Sequence, residues 1–434
     1  MKKTLLPIFF TISTLFSPLY AQYSYQPTEE NLKARQEFQD NKFGIFIHWG
    51  IYSMMGDGEW ILHNKNLNHK EYETLASAFY PSKFNAAEWV SYVKAAGAKY
   101  ICITSRHHDG FSLFHSKYSP YNAVDATPFG RDILKELADE CHKQGIKLHF
   151  YYSHLDWGRD DYTPLGRTGR GTGRTTQGEW KTYYEFMNNQ LIELLTNYGS
   201  IGAIWFDGVW DQDASPNFDW GLEEQYKLIH SLQPSCLVAN NHHVVPFPGE
   251  DIQIFERDLP GENKAGLSGQ EVSRLPLETC ETMNRTWGYR MHDTAYKSTK
   301  TLIHYLVKAA GKNANLLLNV GPRPNGEFPD KAVEQLKEMG EWLNEYGETI
   351  YGTRAELGPP RDWGVCTHKS NKLYVHILQL NDKGLFIPLT EKKVKKVVYF
   401  IGKQHVKYRQ DENGIWITLN QLPTEIDCVL ELDI

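Results

Sequence analysis

Several carboxylates and histidines follow directly on short apolar runs. Ile204-Trp205-Phe206-Asp207-Gly208 sets an acid after what reads as a buried strand, and Ile252-Gln253-Ile254-Phe255-Glu256 does the same. An acid in such a place is costly unless it is hydrogen-bonded or needed. Asp207 therefore has a structural reading, as an acceptor for neighbouring backbone N–H groups, beside a catalytic one. If Asp207 and Glu256 face each other in an aromatic cleft, they form the minimum apparatus for cleaving a glycosidic bond. His107-His108 suggests a metal pair, but consecutive residues on an extended chain point to opposite sides. No His-Glu-x-x-His or carboxylate-rich set accompanies them, so no metal is expected. Hydrogen bonding to polyols suits the two rings better. Neither a Gly-x-Ser-x-Gly elbow nor a dinucleotide glycine fingerprint occurs, and no cofactor is expected.

The elements that must place these groups alternate along the chain. Strand-like runs occur at Phe43–Ile47, Tyr100–Thr104, Ile146–Tyr152, Ile201–Phe206, Cys236–Ala239 and Leu316–Val320. They are nearly continuously apolar, as strands buried on both faces should be. Amphipathic segments lie between them. Asn85-Ala86-Ala87-Glu88 reads as a capping box that opens a helix with Trp89, Val90 and Val93 inward. Ile133, Leu134, Leu137 and Cys141 recur at helical spacing, and a further helix runs through Val333, Leu336 and Leu343. His48, His107-His108-Asp109, Ser153-His154, Asp207-Gly208 and Asn240-Asn241 each end a strand-like run. In a closed (β/α)8 barrel all these clusters meet at one mouth, whereas an open sheet gathers its site at one switch point. The pattern therefore predicts an α/β fold with a (β/α)8-like barrel. Beyond Tyr351-Gly352 helical patterns stop, and Leu373–Ile377, Val397–Ile401, Ile415–Ile417 and Val429–Leu432 read as strands of a small antiparallel β-sandwich. Leu165 to Gly178, rich in Gly, Arg and Thr, reads as a solvated, mobile excursion near the barrel mouth.

Composition narrows the partners. The chain has 434 residues and a formal net charge of −7, without a long basic run, so nucleic acid is not an expected partner. Aromatic residues are abundant (12 Trp, 25 Tyr and 20 Phe), which suits either a sugar cleft or a large core. Met1-Lys2-Lys3, the apolar run from Leu5 to Phe16 and Ala21 have the layout of a secretory signal, cleaved near Ala21. That run is shorter than the about 20 residues a membrane span takes. The expected division is a leader over 1–21, a catalytic barrel over 22–352 and a sandwich over 353–434, in a periplasmic or secreted protein. Six scattered cysteines without CxxC or zinc spacing read as free or structural.

Asn41-Lys42-Phe43-Gly44-Ile45-Phe46-Ile47-His48-Trp49-Gly50, Glu59-Trp60, Arg106 to Phe111 and Trp205-Phe206-Asp207 resemble the α-L-fucosidases of glycoside hydrolase family 29. Leu277 to Cys280, Thr286-Trp287-Gly288-Tyr289 and Asn315 to Pro322 continue the resemblance, which runs in order from about residue 26 to 352. It implies a barrel, often irregular in its helices, followed by a sandwich. Metal-free, retaining hydrolysis of a fucosylated glycan is the implied activity. It also implies that Asp207 is the nucleophile, and that His48, Glu59, Trp60, His107, His108 and Tyr151 hold the sugar. Trp287 and Phe46 would line its methyl group. The acid/base aligns to Glu256, with Glu250, Glu262 and above all Glu278 as rivals. The two roles predict an ionised Asp207 and a Glu256 raised by burial or charge. Many relatives carry an Arg shortly after the fifth strand, where this chain reads Asn240-Asn241-His242-His243. A retaining enzyme for a related sugar such as an α-L-galactoside, or a fucose-binding protein that has lost catalysis, are the alternative readings.

Overall fold

A computed structural model describes residues 25–215 and 217–434; the expected leader over 1–21 lies outside them. Eight strands make one parallel sheet: β1 Phe43–Ile47, β2 Tyr100–Arg106, β3 Lys147–Ser153, β4 Ala203–Asp207, β5 Leu237–Asn241, β6 Gln253–Glu256, β7 Leu277–Thr282 and β8 Ala314–Val320. Their order is β5-β4-β3-β2-β1-β8-β7-β6, and its two ends meet. Ala239 of β5 forms a parallel bridge with Ile252, just before β6. The N–H groups of Asp251 and Ile252 both donate to Val238 O, at 2.8 and 3.2 Å. Asp251 fastens this thin seam further. Its buried carboxylate accepts from Val238 N–H at 2.7 Å and pairs with Arg35 and His230.

Helices Ala86–Ala95, Ile133–Gln144, Trp180–Asn197, Leu222–Leu232, Thr299–Ala310 and Asp330–Tyr346 follow strands of the sheet, but the links from β5 to β6 and from β6 to β7 contain none. Helix Ala86–Ala95 starts where the capping pattern predicts, with Asn85 Oδ1 accepting from Glu88 N–H, and it buries Trp89, Val90 and Val93. Inside the barrel every second residue of a strand points inward. Phe46, Tyr151, Trp205, Ala239, Ile254, Cys280 and Leu317 make an apolar layer there. Phe38, from helix Glu29–Asn41, packs into the same cluster near Tyr100 and His149. Two residues further along five of these strands stand His48, Asp207, Asn241, Glu256 and Asn319. The period of two thus lifts a polar layer to the C-terminal mouth.

The C-terminal part holds a four-stranded antiparallel sheet, ordered Lys396–Tyr399, Cys428–Asp433, Lys372–Ile377 and Gly364–Lys369. A three-stranded sheet of Gly384–Ile387, Gly414–Thr418 and Lys407–Asp411 completes it. They share a core that includes Leu373, Val375, Leu385, Ile415 and Leu430. All six cysteines are buried and unpaired. No helix among the described residues is long and apolar enough to cross a membrane.

Candidate active site

The polar layer opens into a cavity of about 250 Å³ lined by Phe46, Tyr151, Trp205, Trp210 and Trp287 among its aromatics. Asp207 and Glu256 both stand in its wall. Asp207 ends β4, and the next residue, Gly208, turns the chain with φ +102°, a conformation that L side chains rarely adopt. Asp207 Oδ1 accepts from Gly208 N–H at 2.9 Å and Trp210 Nε1–H at 2.8 Å, and Oδ2 accepts from Tyr151 O–H at 3.0 Å. Glu256 ends β6, where Oε2 accepts from Asn241 Nδ2–H at 2.8 Å and lies 3.1 Å from His243 Nε2. Asn241 Nδ2 also reaches Asp207 Oδ1, at 3.3 Å. One amide nitrogen therefore spans the two carboxyls. The register explains it, because Asn241 of β5 lies directly beside Asp207 of β4.

The electrostatics reverse the expected order. Burial, then the charge of Glu256, lift the Asp207 carboxyl to about 6, although Trp210, His243 and Tyr151 oppose them. Burial also acts to raise Glu256, but the hydrogen bonds of His243 and Asn241 and the charge of Arg257 outweigh it, leaving Glu256 below the usual glutamate range. Donors converge on Glu256 Oε2 beside a guanidinium, and that convergence makes Glu256 the more readily ionised of the two. Such a pair shares one proton over the range between its two ionisations.

The rival acids lie elsewhere. Glu278 is on β7 one interior layer below Glu256, where it accepts from Tyr100 O–H at 2.6 Å and Trp205 Nε1–H at 2.9 Å. Glu250 is buried against His242 and Tyr226. Glu262 pairs with Lys264 and Lys312. None of the three lines the cavity.

His48, Trp60 and His107 line the cavity with Asp207 and Glu256, whereas Glu59 and His108 stand just behind its wall. The histidine pair differs from the strand-based expectation. β2 ends at Arg106 and the chain turns, with Gly110 N–H donating to His107 O, so the two rings lie side by side at 4.1 Å. Alternation fails because residues 107 and 108 are no longer extended. Burial holds His48 down to about 3, and holds His107 and His108 well below the usual histidine range. Their tautomers follow from their neighbours. Asn319 Nδ2–H donates to Trp287 O, so Asn319 Oδ1 must accept from His48 Nδ1–H, at 2.7 Å. Ser153 O–H donates to Leu155 O, so Ser153 Oγ accepts from His108 Nδ1–H, also at 2.7 Å. Each ring is left with an Nε2 lone pair; that of His108 lies 3.6 Å from Asp207 Oδ2. Glu59 Oε2 accepts from Gly288 N–H at 2.7 Å and so props the loop that carries Trp287; its carboxyl is raised, chiefly by burial.

Four residues with no role assigned from sequence complete the wall or its supports: Trp210, Asn241, His243 and Asn319. Asn241 and His243 were visible only as part of a polar run after a strand. The Gly/Arg/Thr segment is solvated only in part: Arg167, Arg170 and Thr175 are exposed, while Thr168, Thr172 and Arg174 are buried. Thr168 donates to buried Asp211 through N–H and O–H, at 2.8 and 2.7 Å, and Thr172 is buried. A Cβ at Gly166 would stand 1.8 Å from Asp211 Oδ2, so glycine there admits the close approach. Arg167 from this segment reaches the cavity.

Residues 15–348 match the alpha-L-fucosidase family model. An alpha-L-fucosidase of Dictyostelium discoideum is 30% identical over 417 residues, covering 88% of this chain and 86% of that protein. The structure of alpha-L-fucosidase isoenzyme 1 from Paenibacillus thiaminolyticus matches with a TM-score of 0.80 at 32% identity, over 93% of this chain and 99% of that one. An alpha-L-fucosidase from Bacteroides thetaiotaomicron, solved as a trapped covalent intermediate with 2-fluoro-fucosyl fluoride, matches with a TM-score of 0.80 at 25% identity, over 95% and 97%.

Proposed function

The chain belongs to the alpha-L-fucosidase family, and from that premise we propose that Asp207 and Glu256 carry its chemistry. The enzyme is a retaining α-L-fucosidase that hydrolyses terminal α-L-fucosyl residues of glycans. The observation that supports this pair is the Asn241 bridge. Two bonds to one nitrogen keep Asp207 Oδ1 and Glu256 Oε2 within about 6 Å of each other, which supports the close spacing of a retaining pair, at about 5–5.5 Å.

In the first step Asp207 attacks the anomeric carbon while the bond to the leaving oxygen breaks and Glu256 gives that oxygen its proton. In the second step water attacks the same carbon, the bond to Asp207 breaks, and Glu256 takes the water's proton. The Tyr151, Trp210 and Gly208 donors orient Asp207, which attacks as the carboxylate when the proton the pair shares rests on Glu256. The Nε2 lone pairs of His48 and His108 accept from sugar hydroxyls, and His107, Glu59 and Trp60 complete the polyol contacts. His107 lines the cavity beside His48 and Trp60, which supports its place among the sugar contacts. Trp287 and Phe46, with ring centroids 6.0 Å apart, offer the apolar wall a 6-deoxy sugar needs. We assign residues 22–352 to the catalytic barrel and 353–434 to the sandwich. The basic, then apolar N-terminus supports export to the periplasm or medium after cleavage near Ala21.

A chromogenic α-L-fucoside with NMR of the first-formed sugar tests the reading. Release of α-L-fucose is expected. The β anomer first would overturn retention, and faster turnover of the matching α-L-galactoside would overturn the choice of sugar.

A further inference from the structure

His243 stands in the cavity wall, 3.1 Å from Glu256 Oε2, on a loop whose backbone is turned to put it there. Its φ is +64°, a left-handed value that is uncommon away from glycine. The neighbouring residues hold that turn. His242 Nε2 lies 2.9 and 3.1 Å from the two oxygens of buried Glu250, Val244 N–H donates to His242 Nδ1, and Asn240 is tied to Tyr226, which donates to Glu250. A buried network thus fixes the residues on either side of His243 and leaves its ring facing the acid. Glu256 Oε2 already takes Asn241, so with His243 it holds two donors, and Oε1 is the oxygen left for substrate.

Resting on the assignment of Glu256 as acid/base, we propose that His243 is a positioning residue for proton transfer. Its Nε2–H holds Oε2, so that Oε1 meets the leaving oxygen. When the proton passes from Oε1 to that oxygen, the negative charge left on Glu256 is stabilised at Oε2 by His243 and Asn241. When water later gives its proton back to Oε1, the same two bonds keep the carboxyl in place. This device belongs to the chain's own Asn-Asn-His-His run at the end of β5. The other titratable or charged groups around the pair are Tyr151, His48, His107, His108, Glu59, Cys280, Arg167 and Arg257. None of them donates a hydrogen bond to Glu256 among the described residues, so His243 supplies what they do not.

The test compares His243→Ala, His243→Phe and His243→Gln in the full chain. Phe keeps the ring volume without a donor, and Gln restores an N–H of similar reach. The alkaline limb of kcat/KM reports loss of the one proton that the Asp207–Glu256 pair must carry. Losing the His243 donor should let the pair keep that proton longer. His243→Ala and His243→Phe should therefore move the limb up by about one pH unit. Both should also lose about tenfold more kcat/KM on a fucosyl disaccharide, whose leaving group needs the acid, than on an activated aryl fucoside. His243→Gln should bring limb and ratio back close to wild type. An unmoved limb in His243→Phe, or equal losses on both substrates, would overturn the proposal, and His243→Phe decides if the Ala variant does not fold. Azide rescue of Glu256→Ala is measured alongside. Rescue there with an unmoved limb refutes His243 alone, whereas no rescue refutes the underlying role of Glu256.

Discussion

Glu278 distinguishes a structural acid from a catalytic one. It is fully enclosed between Tyr100 and Trp205, and burial lifts its carboxyl to about 7 from an ordinary 4.5. A carboxyl raised on folding contributes fully below its unfolded pKa, and that contribution is lost as pH rises through the folded value. Here the native state holds the proton more tightly, so this one group lowers stability by about 2–3 kcal/mol between about pH 5 and 8. Glu278→Gln stays neutral throughout. Its amide oxygen can still accept from Trp205 and its NH2 can donate to Tyr100, which leaves one Tyr100 hydrogen to find another acceptor, at a cost of about 1 kcal/mol. The variant should be slightly less stable than wild type near pH 5 and more stable near pH 8. Guanidinium unfolding followed by Trp fluorescence at each pH reads the difference. Turnover of an aryl fucoside should stay within about tenfold, since Glu278 meets no reacting atom in this account. Stability curves that run parallel over this range, or azide-rescued turnover in Glu278→Ala, would refute the reasoning and make Glu278 the proton donor.

Asp207→Asn should lose several orders of magnitude in turnover while its unfolding midpoint stays near wild type, and near-normal rates in the folded variant would remove Asp207 from the mechanism. The Asp207 carboxyl is raised to about 6, so the pair should lose its one proton as pH rises through about 6, and kcat/KM should fall on that side; a flat profile from pH 5 to 8 would contradict this. Both proton transfer and nucleophile come from side chains, so turnover should survive exhaustive EDTA treatment, and zinc-restorable loss would sink that reading.

The strand pattern and the acids at strand ends were legible because each follows a mainly apolar run, as Ile204-Trp205-Phe206 does before Asp207. The support around those acids was not. β5 reads as ending at Ala239 because Asn240 and Asn241 are poor strand formers, yet the strand runs to Asn241 and pairing with β4 sets that side chain beside Asp207. Such a neighbour is a property of register between strands far apart in sequence. His107-His108 failed for a related reason, since alternation holds only while the chain stays extended. Thr168 and Thr172 look like solvated loop residues, but their hydroxyls satisfy Asp211 and the Trp157 carbonyl in a buried place. Lys407–Asp411, an edge strand reading Lys-Tyr-Arg-Gln-Asp, carries no apolar alternation at all; pairing with Gly414–Thr418 alone makes it a strand.

The central claim is that Asp207 forms a covalent bond to the sugar that Glu256 helps to make and break. Incubating the enzyme with 2-fluoro-fucosyl fluoride slows the second step, and peptide mass spectrometry then locates the attached sugar. The account predicts one 2-fluorofucosyl group on the peptide containing Asp207, lost again when the adduct turns over. A label on Glu256, Glu278 or any other residue, or active enzyme that never takes up the label, would contradict it.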